Sequence, residues 1–414
     1  LRVVFEQVTE KDLSWFFEDI INTTKQLDYA IVDIKKETKD LLITLKNTGE
    51  INGPVIISGI KDGKSMTPLW IEGFKDKKKV RYFNGDYDNI RIDYNGDMPE
   101  TNRNNNIIKT KGLFKTCEPL KLQIIGSFYH PEKTQIFFHP MIKWNMYDEL
   151  SIGGSFYNRF VPKEGFSYKL TPMYSANAEN NIAGSGKLGY EKHNQSALIS
   201  RYKLGIRADQ YLYSTTDQYK RFEPSLDLDF RKENLRSKKQ SFIHTSFIHL
   251  NKGNKTIQFA KANYTYSNKR TISPYSMHIK TEFGKVFTKA NVIINYNHHI
   301  NNKKRLQLRA YAGLVKTESS IYNLQMTAWN GLNDYMFSEK SLGRNASEGL
   351  YTQQLFMNEG ALKHHTNISS KKWLSTLSAE YNLTKRFRLY AEGGTNGTDV
   401  AYGAGLRIPL LQNI

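Results

Sequence analysis

The feature that most limits what this chain can fold into is strict two-residue alternation, repeated over much of its length and cleanest in residues 373–408. Trp373, Leu377, Ala379 and Tyr381, then Phe387, Leu389 and Ala391, then Val400, Tyr402, Ala404, Leu406 and Ile408 fall on one face. Thr376, Ser378, Glu380, Arg388, Tyr390, Glu392, Gly403, Gly405 and Arg407 fall on the other. Successive side chains of a strand point to opposite sides of a sheet, so this pattern reads as three strands. Short connections at 382–385 and 394–397 make them antiparallel neighbours.

A soluble sandwich and a membrane barrel both alternate, so the polar face must decide. Solvated sandwich surface is dominated by Lys and Glu, whereas here glycine is mixed with Arg and Glu, as in a crowded polar lumen. Tyr, Trp and Phe near strand ends fit the aromatic girdles of an outer-membrane barrel. Similar two-faced runs recur upstream. Leu198, Tyr202, Leu204 and Ile206 lie opposite Arg201, Lys203, Gly205 and Arg207; Leu226, Leu228 and Phe230 lie opposite Asp227, Asp229 and Arg231. Ala290, Val292, Ile294 and Tyr296 lie opposite Asn291, Asn295 and Asn297, and Leu306, Leu308, Ala310, Ala312 and Leu314 opposite Gln307, Arg309 and Tyr311. Fainter strands lie near Ile152, Leu188, Phe247, Phe259 and Ile279, and those near Phe247 and Phe259 change face midway, as a bulge allows. Pro172 belongs at a rim or bulge because a closed ladder needs its missing N–H. From Glu149 onward the count is about fourteen strands, the one around Leu355 being the faintest. Alternation fails over 316–351, which reads as an extracellular loop.

The rest of the chain is read against that barrel. No apolar run approaches the roughly 20 residues of a spanning helix, and the mean hydropathy is −0.58. The net charge of +19 is spread over the whole length rather than gathered on one stripe, which argues against a nucleic-acid partner and suits an anionic lipid surface. The single cysteine, Cys117, excludes an internal disulfide framework. The sequence starts without Met and has no signal segment at its start, so it reads as a mature protein or a piece of a longer one.

Thr9 followed by Asp12 resembles a capping box opening a helix with an apolar stripe of Leu13, Phe16, Phe17, Ile20 and Ile21. Residues 1–27 are therefore expected to be a terminal helix that docks on an upstream domain. Residues 28–108 read as an Ig-like β-sandwich, with strands at 30–34, 41–45, 54–58, 79–83 and 90–93 separated by Asn47-Thr48-Gly49, Asp62-Gly63 and Asn95-Gly96. Residues 109–148 read as a connector and 149–414 as the barrel. The fold class expected is thus mainly β: short helix, small sandwich, then a transmembrane antiparallel barrel.

No catalytic motif emerges. H-E-x-x-H, C-x-x-C and the P-loop are absent. His298-His299 and His364-His365 are adjacent pairs, which point to opposite faces of a strand and so do not chelate one ion. The acids Asp86, Asp88, Asp93, Asp97 and Glu100 lack EF-hand spacing and read as turn residues. No catalytic, cofactor-binding or metal residue is assigned.

Residues 8–17, Val-Thr-Glu-Lys-Asp-Leu-Ser-Trp-Phe-Phe, resemble the closing helix of the catalytic domain in gluzincin aminopeptidases, the membrane alanyl aminopeptidase family. In that family such a helix precedes a sandwich similar to the segments around Asn47-Thr48-Gly49 to Pro54, Trp70 and Ile90-Arg91-Ile92-Asp93. Residues 140–148, Pro-Met-Ile-Lys-Trp-Asn-Met-Tyr-Asp, resemble the start of the barrel in a Bacteroidota subset that appends one to the peptidase. The resemblance implies the C-terminal part of a zinc metallopeptidase whose zinc ligands and catalytic Glu lie upstream of this chain, with zinc held there and none here. It implies an outer-membrane location with the N-terminal part in the periplasm, and as partners membrane lipid, the upstream peptidase-like domain, and peptide substrate or other outer-membrane proteins. A non-enzymatic channel or docking platform, and a soluble all-β adhesion or sugar-binding protein, remain as alternatives.

Overall fold

A computed structural model describes residues 1–408 apart from 38–39, 84, 113–114, 117–119, 127–132, 146, 159–164, 177–181, 195–197, 235, 302–303, 329–334, 337–357 and 385–386. Cys117 and the expected strand around Leu355 lie outside the described residues. The chain divides into two units, Leu1–Ile136 and Phe137–Ile414.

The first unit opens with helix α1 (Arg2–Thr9) and a π-helical turn (Trp15–Ile21). The expected helix start at Thr9 is therefore a helix end: the Thr9 hydroxyl donates 2.7 Å back to the Phe5 carbonyl, and Glu10 turns the chain out at φ 54°. Arg2 explains the shift. It pairs with Glu6 at 2.9 Å within the helix and also with Glu18, tying α1 to the π-helical turn. Trp15 and Ile20 pack on the sandwich, while Phe16 and Ile21 stay exposed.

The strands that follow are β1 (Tyr29–Lys36), β2 (Asp40–Asn47), β3 (Val55–Lys61), β4 (Lys64–Ile71), β5 (Lys77–Phe83), β6 (Asn89–Ile92), β7 (Ile107–Lys109) and β8 (Leu120–Ile124). They include three, β4, β7 and β8, that the sequence pattern did not show. Sheets β1-β2-β5 and β4-β3-β6-β7 face each other across a core of Tyr29, Ile31, Ile43, Leu45, Ile57, Tyr82, Ile90 and Ile92. The β3–β4 hairpin turns through Asp62 (φ 49°) and Gly63 (φ 74°), two consecutive left-handed residues, as a type I′ turn requires.

The second unit carries β9 (Thr134–Asn145), β10 (Glu149–Tyr157), β11 (Gly165–Ser175), β12 (Ile182–His193), β13 (Ile199–Leu212), β14 (Gln218–Phe230), β15 (Lys239–Lys252) and β16 (Lys255–Asn268). It continues with β17 (Tyr275–Gly284), β18 (Phe287–His299), β19 (Arg305–Thr317), the short pair β20 (Leu324–Gln325) and β21 (Ser369–Ser370), then β22 (Trp373–Asn382), β23 (Arg388–Thr395) and β24 (Val400–Arg407). One antiparallel sheet of fifteen strands runs from β8 to β24 in chain order, with only β20 and β21 left out of it. The expected connector 109–148 is thus partly sheet: β9 supplies a full-length strand before Glu149. Its sequence, Thr-Gln-Ile-Phe-Phe-His-Pro-Met-Ile-Lys-Trp-Asn, blurs the alternation because Phe137 and Met141 stand among Gln135, His139 and Lys143 on the polar face, and Pro140 interrupts the ladder.

Register places unlike rows back to back. Tyr202, Leu228, Ile243, Tyr264, Ile279, Val292 and Ala312 are cross-strand partners in one continuous row from β13 to β19. The next row, Lys203, Asp227, His244, Asn263, Lys280, Asn291 and Gly313, lies on the opposite face. The expected switches near Phe247 and Phe259 are absent, since β15 and β16 pair without a shift from Lys239 to Lys252. Apolar residues occur on both faces there because Ile248, Leu250 and Phe259 point inward to a buried cluster. Pro172 sits within β11, paired with Gly184 on one side, and the ladder to β10 skips that step on the other.

Candidate functional site: a segment lodged on the polar face

Between β19 and β22 the chain leaves the sheet and returns to it, and the described parts of that excursion pack on the sheet's polar face. The expected extracellular loop at 316–351 is therefore corrected for those residues. Ser319 caps a short turn at Ser320–Tyr322, and the Tyr322 ring stacks on Phe287 of β18 with centroids 4.2 Å apart. Tyr335 packs edge-on against Phe259, Phe287 and Tyr322, and its hydroxyl bonds the Glu282 carboxylate of β17. Tyr219 of β14 donates 2.9 Å to the Met336 carbonyl. Leu324, Met326 and Leu362 fill a second cluster with Ile293, Tyr311, Val315 and Leu374 from β18, β19 and β22.

Residues 358–364 are held by charge. Lys280 donates 2.6 Å to Asn358, and Lys289 pairs with Glu359 at 2.8 Å, both side chains of that pair only 5 % exposed. The second Glu359 oxygen accepts the Gln325 N–H at 2.6 Å. Arg309 donates to the carbonyls of Glu359 and Gly360, and Thr376 donates to Gly360 at 2.8 Å. Glu392 of β23 accepts from the Lys363 N–H at 2.6 Å and contacts the His364 ring at 2.9 Å. His364 in turn lies where any side chain at Gly403 of β24 would sit. Residues 358–364 thus touch β17, β18, β19, β22, β23 and β24, while Met336 is held by β14.

Charges elsewhere on the inner face neutralise one another across strands and, at Arg221–Glu223, along one strand. Arg201 bridges Glu191 (3.1 Å) and Asp229 (2.7 Å), Asp227 meets His244 at 2.6 Å, Arg221 meets Glu223 at 2.5 Å, and Glu380 holds Arg388 and Arg407. Among the described residues the outer face carries no ion pair between strands. It presents exposed Trp144, Ile152, Tyr174, Phe222, Ile294, Leu314, Leu377 and Tyr402, the last 85 % exposed.

No family model matches the chain, and no curated protein matches it. Among solved structures, the crystal structure of BamA from Haemophilus ducreyi lacking POTRA domains 1–3 is similar at 11 % identity and a TM-score of 0.34, over 64 % of this chain. The chain spans 58 % of the length of that structure.

The residues weighed for chemistry are scattered. His299 accepts the Ser273 N–H at 3.2 Å, His298 lies beside the Tyr296 hydroxyl, His364 is on Glu392 and His365 is exposed. Asp86 is engaged by Lys61 and Lys111, which hold its carboxyl down at about 2. Buried Asp93 pairs with Arg103 at 3.1 Å. Glu100 is pushed up to about 7 by burial, against hydrogen bonds from Asn106 and the Tyr29 N–H. Among the described residues no group of three or more His, Cys, Asp or Glu is placed to hold a metal. The dinucleotide fingerprint G-x-G-x-x-G, expected to be absent, is spelled by Gly184-x-Gly186-x-x-Gly189, but β12 runs through all of them, with no strand-to-helix turn for a phosphate.

Proposed function

We propose that the second unit is an outer-membrane barrel that anchors the first, its interior occupied by the described parts of the segment between β19 and β22. The observation that carries this is the pair of back-to-back rows: an unbroken apolar row outside and Lys203, Asp227, His244, Asn263, Lys280 and Asn291 inside. In water the outer row would be an apolar surface far larger than soluble monomers expose; in a bilayer it is the lipid-facing band. Monodisperse, folded protein purified without detergent refutes the reading. Occupation of the interior favours an anchor over an open pore, and the polar inner row favours a gated channel as the second reading.

The sandwich is placed in the periplasm on this proposal, as a stand for an aminopeptidase-like domain encoded before Leu1. Strand parity supports it only from β9 onward: the chain enters and leaves these fourteen antiparallel strands at the same strand end, whereas β8, five residues long, reverses the direction if counted. A cysteine at Lys78, with Cys117→Ser, should react with a membrane-impermeant thiol reagent only after the outer membrane is permeabilised. Labelling of intact cells overturns the placement. A parent gene without H-E-x-x-H upstream overturns the peptidase parentage and leaves the barrel standing.

A further inference from the structure

The sandwich has a face that its own packing does not use. On β1-β2-β5 the core takes Ile31, Ile34, Leu41, Ile43, Leu45 and Tyr82, so the alternating residues face solvent. Three of the resulting cross-strand rows carry Lys46–Lys77, Thr44–Lys79 and Lys35–Leu42–Arg81, and the row beyond them pairs Asp40 with Phe83, 65 % exposed. Like charges directly opposite each other, as in Lys46–Lys77, destabilise a sheet. Lysines on an edge strand alone would be protection against edge pairing, but here cations stand on all three strands, the central one included. Only Asp33 and Asp40 oppose Lys35, Lys46, Lys77, Lys79 and Arg81 on this face, and none of the five cations forms an ion pair among the described residues.

We propose that this face docks on anionic lipid headgroups. Three features favour a lipid surface over a soluble polyanion. The face is an open sheet rather than a groove; its cations repeat every second residue along β5, about 7 Å apart, on the scale of neighbouring headgroups; and apolar Phe83 and Val32 stand exposed among them, able to enter the interfacial layer. Each cation brought to such a surface strengthens partitioning roughly fivefold, and salt weakens it. The inference rests on the membrane reading above, because it is tested in reconstituted protein.

The full chain carrying Cys117→Ser and Phe83→Cys is labelled with an environment-sensitive fluorophore. It is then reconstituted into vesicles of phosphatidylcholine alone or with phosphatidylglycerol. Blue-shifted emission only with phosphatidylglycerol, reversed by salt and lost in Lys46→Gln/Lys77→Gln/Lys79→Gln/Arg81→Gln, is the result expected. The salt titration keeps the test valid if that variant fails to fold. Identical emission in both vesicles, or a shift that ignores salt, overturns the proposal. A shift in neutral vesicles on adding inorganic polyphosphate, with none from phosphatidylglycerol, overturns it in favour of a soluble polyanion. Protein that does not enter vesicles at all refutes the barrel instead.

Discussion

Lys289 and Glu359 are the most exacting test of how the interior segment is held. Both side chains are almost wholly buried and 2.8 Å apart, and Glu359 also caps the Gln325 N–H. Removing one member of such a pair leaves a charge without compensation in a low-dielectric site, at a cost of about 3–5 kcal/mol. That is roughly two to four orders of magnitude in the balance between lodged and released segment. Lys289→Met should therefore make residues 358–364 sensitive to protease in the purified protein and raise conductance across a planar bilayer, with the strands around them intact. Lys289→Met combined with Glu359→Met should recover much of the protection, since a well-packed apolar pair replaces a buried ion pair at little cost. If Lys289→Met is as protected and as silent as the parent, the pair does not hold the segment, and the inner row with its neutralising partners must be reconsidered.

Other outcomes follow from single sites. Leu308→Arg, on the outer face of β19, should cost roughly 2–4 kcal/mol near the bilayer midplane while Gln307→Arg, one residue away and inward, is tolerated; equal effects in detergent-to-lipid refolding titrations contradict the face assignment. Glu100 has a folded value of about 7 against a reference of 4.5, so its contribution to stability is complete below 4.5 and disappears as pH rises through 7. Glu100→Gln should abolish that loss, worth about 3 kcal/mol at most, which urea titrations of the sandwich at pH 5 and pH 8 would read. Gly360→Ala would drive a methyl to within 2.6 Å of the Met326 carbonyl, so it should loosen the segment by about 1–3 kcal/mol, seen as faster hydrogen exchange at Leu362.

Much of the sheet was legible because its two surfaces meet different surroundings. In β23, β24 and most of β18, β19 and β22 the outward residues are apolar and the inward ones polar, and the alternation can be read from the letters alone. It blurred wherever the inner face meets protein instead of water. Ile248, Leu250, Phe259, Ile293 and Val315 point inward yet are apolar, because Tyr322, Leu324, Met326, Tyr335 and Leu362 cover them. The lodged segment went unread for the matching reason. Leu324-Gln325-Met326-Thr327-Ala328 does alternate, but it is short, and nothing local marks its apolar side as belonging inside. The helix start at Thr9 failed on a single competing fact: the residue fits a cap, but Arg2, Glu6 and Glu18 place the helix one segment earlier.

The register between β19 and β22 is set by pairs from Leu306–Tyr381 to Leu314–Trp373, and the excursion begins only beyond them. Its ends therefore already lie side by side in the sheet, as the ends of a tight hairpin do. Closing a loop costs only about 0.6 kcal/mol more for each doubling of its length, so a long guest and a four-residue turn are nearly equivalent to the strands on either side. The molecule is in this sense a host with an exchangeable content: whatever chain is spliced between Thr317 and Trp373 inherits a site facing the inner wall, and the wall does not have to be rebuilt to receive it.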